Sequence, residues 1–146
     1  MTTLISIVLV IVFAFLSAIH FYWLIGGRSS SQAVFPTKDD TTIPKMPGVI
    51  PTLIVACGLL AIGLFISLKA GFFYIPIPSF LDKYGLWIIA GIFILRAIGE
   101  FNYLGFFKKI KHTKFGRNDT KYYSPLCLII GILIIILSSH SVLQST

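Results

Sequence analysis

Two side chains of opposite charge stand one helical turn apart in an otherwise uncharged stretch of this chain. Arg96 and Glu100 lie within residues 84–107, YGLWIIAGIFILRAIGEFNYLGFF. The stretch is long enough to cross a bilayer, which takes about 20 apolar residues. A charge at membrane depth costs about 2.5 kcal/mol or more, so such groups usually face protein or water. An arginine can stabilise an anion and a carboxylate can exchange a proton, so this pair is the first candidate for chemistry.

The elements that must position the pair are membrane helices. Of the 146 residues 56% are hydrophobic and only 12% are charged, against about 25% charged in soluble domains. The uncharged runs LISIVLVIVFAFL and LCLIIGILIIIL are apolar on all sides, as lipid-facing helices are. We predict an all-α fold of one integral membrane domain, residues 1–146, forming a four-transmembrane-helix bundle. The predicted helices cover about residues 3–25, 48–68, 85–107 and 124–139.

The basic residues predict the orientation of these helices. Connections one and three carry nine Lys and Arg residues, whereas the opposite face has only Lys69 and Lys83. Because basic residues concentrate in cytoplasmic connections, connections one and three are predicted to be cytoplasmic and both termini extracytoplasmic. Connection one contributes Arg28, Lys38 and Lys45 to this count. The predicted localisation is a membrane, which the chain crosses several times.

Depth along the helices brings further polar residues to the level of the pair. At 1.5 Å per residue, His20 lies ~26 Å down the first helix and Glu100 ~22 Å down the third. The predicted polar cluster at the cytoplasmic end of the bundle comprises His20, Arg96, Glu100, Asn102, Tyr103 and Tyr123. Two simpler interpretations stay open. Arg96 and Glu100 can form a self-neutralising i,i+4 pair, and His20 can belong to an interfacial aromatic belt.

The third connection predicts a lipid partner. Its basic residues are Lys108, Lys109, Lys111, Lys114, Arg117 and Lys121. Each basic residue at the anionic cytoplasmic leaflet adds about 1 kcal/mol of attraction. Nucleic acid is the other polyanion that basic runs bind, but a short connection between two membrane helices favours lipid headgroups. The histidines and cysteines show no metal-ligand spacing, so no metal or cofactor is predicted.

Three segments together resemble a family of small four-helix bacterial integral membrane proteins known as a domain of unknown function. The segments are HFYWLIGGR, RAIGEFNYLGFF and YYSPLC. The resemblance implies four transmembrane helices and residence in the bacterial cytoplasmic membrane, as a multi-pass protein. It implies no established activity, substrate or cofactor. The residues that it marks on this chain are His20, Tyr22, Trp23, Gly26, Gly27, Arg96, Gly99, Glu100, Gly105, Asp119, Tyr122, Tyr123, Ser124 and Pro125.

Three classes of function follow from these residues. The first is a binding or accessory module whose polar cluster takes a small amphipathic ligand, or whose ion pair only fixes helix register. The second is proton-linked permeation, in which His20 titrates and Glu100 accepts its proton. The third is a membrane enzyme on a lipid-like substrate, with His20 and Glu100 as acid and base. No nucleophile with a triad or phosphate loop supports the enzyme, so the binding or accessory module ranks first.

Overall fold

The computed structural model describes residues 1–27, 48–99 and 102–144, with side chains to residue 140. Arg28, Lys38, Lys45 and Glu100 lie outside the described residues. In chain order the helices are α1 (Thr2–Leu24), α2 (Val49–Lys69), α3 (Ser79–Ile98), a short α4 (Lys114–Asn118), a π-helical segment (Asp119–Tyr123) and α5 (Ser124–Gln144). The described residues contain no β-strand, so the all-α prediction is confirmed.

Three helical stretches are long and apolar enough to cross a membrane. They are Thr2–Leu24, Val49–Lys69 and the run Lys114–His140. Large apolar side chains such as Ile11 and Ile54 point outward and are exposed, as in helices that contact lipid. The remaining long helix, α3, has 20 residues but includes Asp82, Lys83 and Arg96. The structure therefore confirms three candidate spans of the four predicted.

The described residues group into two compact units. The first contains residues 1–27, 48–89 and 133–144, and the second contains residues 90–99 and 102–132. In the first unit, α1 and α2 pack closely. The Ser17 hydroxyl donates to the Ala56 carbonyl at 2.8 Å. Gly63 lies so close to Phe13 that an added Cβ would be 3.3 Å from the Phe13 Cβ. Small residues permit this approach where both helices are otherwise bulky.

An ion pair at the surface of the first unit links α2 to α3. The Lys69 Nζ atom lies 2.8 Å from Asp82 Oδ1 and also donates to the Asp82 carbonyl at 3.1 Å. The Asp82 side chain is 59% exposed. Exposed pairs of this kind contribute only about 0–1 kcal/mol, so the pair is a useful reference for the buried ion pairs described below.

The third helix ends earlier than predicted. The prediction extended it to residue 107, but α3 ends at Ile98, and Gly99 has a φ of +88°. The chain then turns back, and the Phe106 N–H donates to the Ala97 carbonyl at 2.9 Å. The prediction extended the helix because the apolar residues after Gly99 continue the helical pattern in the sequence. The left-handed conformation of Gly99, which favours glycine, is what ends the helix.

The last helical run begins earlier than predicted. The prediction placed the start at Ser124 and Pro125, whereas the helical path starts at α4, capped by Thr113, whose Oγ1 accepts from the Gly116 N–H at 3.0 Å. The π-helical segment joins α4 to α5, and the Ser124 N–H bonds to the Asp119 carbonyl. Pro125 lacks an N–H, so it removes one helical hydrogen bond at this junction. Part of the predicted basic loop is therefore helix.

Candidate functional site

A buried carboxylate is the centre of the polar site in the second unit. The Asp119 side chain is 0% exposed. Its Oδ2 atom accepts from the Gly105 N–H at 2.8 Å, the Lys108 Nζ at 2.9 Å and the Ser124 hydroxyl at 3.0 Å. Its Oδ1 atom accepts from the Arg96 Nη2 at 3.1 Å. We refer to Arg96, Gly105, Lys108, Asp119 and Ser124 as the Asp119 cluster.

The lysine of the cluster uses all three of its ammonium donors inside the protein. Lys108 Nζ donates to the Gly105 carbonyl at 3.0 Å, to Asp119 Oδ2 at 2.9 Å and to Thr120 Oγ1 at 2.6 Å. Its side chain is fully buried. The sequence suggested that Lys108 faces the lipid headgroups. Its side chain lies inside the protein instead, where its charge compensates that of Asp119. The other five basic residues of that predicted set are exposed.

Local backbone geometry positions two of the donors to Asp119. In an α-helix, residues five apart point ~140° away from each other. The π-helical segment instead brings the Ser124 hydroxyl to the Asp119 carboxylate. The Gly105 N–H reaches Asp119 because Gly99 and Gly105 let two backbone segments touch. A Cβ on Gly99 would lie 1.9 Å from the Leu104 carbonyl oxygen. π-Helical turns of this kind are frequent at functional sites.

Among the residues that the structure describes, Arg96 pairs with Asp119, which lies 23 residues further along the chain. The predicted i,i+4 pair of Arg96 with Glu100 stays a prediction, because α3 ends at Ile98 and Glu100 lies outside the described residues. The Arg96 side chain is 31% exposed, and its second terminal nitrogen, Nη1, is buried with no hydrogen-bond partner among the described residues. With Arg96 and Lys108 positive and Asp119 negative, the formal charges of the cluster sum to +1.

The remaining residues of the predicted polar cluster make local contacts. His20 lies in the first unit, with Nδ1 2.7 Å from the Leu16 carbonyl oxygen and its ring edge-on to Trp23 at 4.9 Å. The Tyr123 ring lies against Phe115 with centroids 6.2 Å apart. Asn102 is exposed and Tyr103 is half-buried. The bonds of Asp119 given above involve none of these four residues. The shared site of His20 with Arg96 stays a prediction.

Sequence reasoning missed Asp119 as the centre of the site, although one signal was present. Asp119 is the only acidic residue after Glu100. Five basic residues precede it in the same connection and Lys121 follows it. A single carboxylate in so basic a segment is attracted to more than one cation. The family resemblance also marks every member of the Asp119 cluster except Lys108.

The arrangement suits anion binding better than proton transfer or nucleophilic attack. Asp119, Lys108 and Ser124 are buried and already bonded to one another. A substrate would have to displace these bonds before any of the three could react. Within the described part of the chain, no group of three or more His, Cys, Asp or Glu residues could hold a metal ion. Arg96 is the cluster member with a buried donor, Nη1, that has no partner within the described part of the chain.

Comparison with known proteins identifies a family but no activity. The family described as Protein of unknown function (DUF3995) matches residues 13–134. No curated protein and no solved structure matches the chain.

Proposed function

We propose, from the premise that this chain belongs to the DUF3995 family of proteins of unknown function, that it is a multi-pass protein of the bacterial cytoplasmic membrane that binds a small amphipathic ligand. An accessory role within a larger assembly belongs to the same proposal. The observation that carries the proposal concerns the two terminal nitrogens of Arg96. Asp119 accepts a hydrogen bond from one of them, while the other has no partner among the described residues. The ligand would bring an anionic group to this nitrogen.

The chemistry of the guanidinium supports this choice of ligand. A planar guanidinium presents its N–H donors in a fixed fork that matches carboxylate and phosphate oxygens. Because Asp119 already orients Arg96, little rotamer freedom remains to be lost when an anion binds. A buried donor without a partner costs about 1–3 kcal/mol, and an anionic oxygen would remove that cost. The formal +1 charge of the cluster favours a monoanionic group.

Permeation and catalysis rank below binding because the cluster offers no accessible titrating group. A proton relay needs a carboxylate that can exchange protons, yet Asp119 accepts four hydrogen bonds, two of them from cations. Catalysis on a lipid-like substrate would need an acid or base within reach of the reacting bond. Within the Asp119 cluster, the two groups that could act as acid or base, Asp119 and Lys108, are already bonded to each other and to other members.

Substituting Arg96 should remove the bound ligand. Native mass spectrometry of the wild-type protein, released gently from membranes in mild detergent, should show an added mass that solvent extraction identifies as an anionic amphiphile. Arg96→Gln should lower the occupancy of this mass at least about tenfold, because a charge-assisted hydrogen bond contributes about 1.5–3 kcal/mol. Arg96→Lys should retain part of the occupancy, since it keeps the charge but loses the planar fork.

Lys83→Gln is the control for this experiment, because it removes a positive charge near the other end of α3. It should leave the occupancy unchanged. Unchanged occupancy in Arg96→Gln, or an equal loss in Lys83→Gln, would contradict ligand binding at Arg96. A wild-type protein that carries no added mass would leave only the accessory role.

The proposed orientation makes a separate prediction. Because connections one and three carry most of the basic residues, both termini should be extracytoplasmic. Alkaline phosphatase, which is active only outside the cytoplasm, should be active when fused after Thr146 and inactive when fused after Lys111. The reverse pattern would invert the topology and place the Asp119 cluster at the extracytoplasmic side.

A further inference from the structure

The second unit displays a basic surface that the Asp119 cluster does not use. Five cationic side chains are exposed on residues 109–121, and two large aromatic side chains, Phe107 and Tyr122, are exposed beside them. We define the basic surface as Lys109, Lys111, Lys114, Arg117 and Lys121. The one carboxylate of this part of the chain, Asp119, is buried. Among the described residues 102–132, the five exposed basic side chains therefore have no exposed carboxylate beside them in the sequence.

The helical part of this surface is amphipathic. Lys114, Arg117 and Lys121 are exposed at positions i, i+3 and i+7, which lie on one side of a helical path. Phe115 and Asp119, at i+1 and i+5, are buried. The same hydrogen bonds that hold Asp119 inside thus turn the three cations outward. The same arrangement buries Lys108 while the other five basic residues stay exposed.

Helix length places the basic surface at the level of lipid headgroups. The run Lys114–His140 has 27 residues, or ~40 Å at 1.5 Å per residue. The hydrocarbon core takes up only about 30 Å, and the headgroup regions extend the bilayer to about 40–45 Å. The apolar end of the run, up to His140, fills the core, so the basic end at Lys114 reaches the headgroups. Tyr122, which is exposed, is a residue type typical of that boundary.

We propose that the basic surface binds anionic phospholipid headgroups and thereby anchors the 102–123 segment to the membrane face. Lipid binding by the basic surface goes beyond ligand binding at Arg96, because the residues are different and several lipid molecules would bind and exchange. Charge complementarity selects anionic over zwitterionic lipid, since five exposed cations meet a negatively charged leaflet. Attachment to a membrane helix favours lipid over nucleic acid, which would have to approach the same face from solution.

The test compares two triple variants of the full chain in detergent. Lys109→Gln/Lys111→Gln/Lys121→Gln removes three charges, and Lys109→Arg/Lys111→Arg/Lys121→Arg keeps them. Arg117 is left intact because its guanidinium donates to the His112 carbonyl. Native mass spectrometry then counts the phosphatidylglycerol or phosphatidylcholine molecules retained as each lipid is titrated in. Size-exclusion chromatography confirms that both variants remain monodisperse.

Wild-type protein and the arginine variant should retain phosphatidylglycerol in preference to phosphatidylcholine. The glutamine variant should bind phosphatidylglycerol on the order of 10- to 100-fold more weakly at low salt, and salt should weaken wild-type binding too. Equal retention by the glutamine variant would overturn the proposal, as would equal loss in the arginine variant. Displacement of phosphatidylglycerol by inorganic phosphate or a single-stranded oligonucleotide would also overturn it. The Arg96-dependent ligand should persist in both variants, which separates this result from the proposed function.

Discussion

Asp119→Asn should lower the free energy of unfolding by about 3–5 kcal/mol, because it leaves the buried Lys108 and the partly buried Arg96 without their counter-ion. Lys108 is fully buried and directs its ammonium at the carboxylate from 2.9 Å. Arg96 loses the same partner. An asparagine has nearly the same shape, so the effect isolates the charge. Unfolding in mixed micelles at increasing dodecyl sulfate, followed by the fluorescence of Trp23 and Trp87, measures the change.

Asp82→Asn is the matched control for this measurement. Asp82 also pairs with a lysine at 2.8 Å, but its side chain is 59% exposed. Its loss should cost no more than about 1 kcal/mol. If Asp119→Asn cost as little as Asp82→Asn, Asp119 would not be the electrostatic centre of the second unit.

A double substitution tests whether Lys108 and Asp119 act as a pair. Lys108→Met should destabilise by a similar amount to Asp119→Asn, since it leaves Asp119 with one cation fewer. Lys108→Met combined with Asp119→Leu removes both charges of the buried pair. The combined loss should be clearly smaller than the sum of the single losses, with a coupling of about 0.5–3 kcal/mol. Strict additivity would mean that the two residues act independently.

Gly105→Ala should be the second strongly destabilising change, at roughly 2–5 kcal/mol from backbone strain and overpacking together. Gly105 has a φ of +86°, which a residue with a Cβ rarely adopts. The new Cβ would also lie 2.2 Å from the Ile98 carbonyl oxygen. Movement of this backbone would withdraw the Gly105 N–H from Asp119. The same unfolding assay gives the free energy, and ligand occupancy should fall with it.

Two other glycines are controls that separate the contribution of backbone strain from that of overpacking. Gly26 has a φ of +91° but open space around its Cβ position, so Gly26→Ala should cost only about 1–2 kcal/mol. Gly91 lies inside α3 with open space and an ordinary helical φ. Gly91→Ala should therefore be neutral or stabilising by up to about 1 kcal/mol. A Gly105→Ala effect no larger than that of Gly26→Ala would show that the backbone contact at Ile98 relaxes freely.

The sequence by itself determined that the chain is helical and where its most apolar helices lie. Long apolar runs without charge predict membrane helices. In the bilayer core no water is present to bond to backbone N–H and C=O groups, and a helix bonds these groups internally. The predicted bounds of the first two helices, residues 3–25 and 48–68, differ from α1 and α2 by one residue at each end. The predicted resemblance to a domain-of-unknown-function family is also confirmed, by the match over residues 13–134.

Only the tertiary structure showed that Arg96 pairs with Asp119. Sequence proximity favoured Glu100, one predicted helical turn away, and nothing local indicated a bond to Asp119 across 23 residues. The pairing depends on where α3 stops, which the conformation of Gly99 determines against an apolar pattern that continues past it. It also depends on a π-helical turn that places Ser124 against Asp119. Hydropathy carries no information about either feature, because both arise from backbone conformation and from contacts between segments distant in the chain.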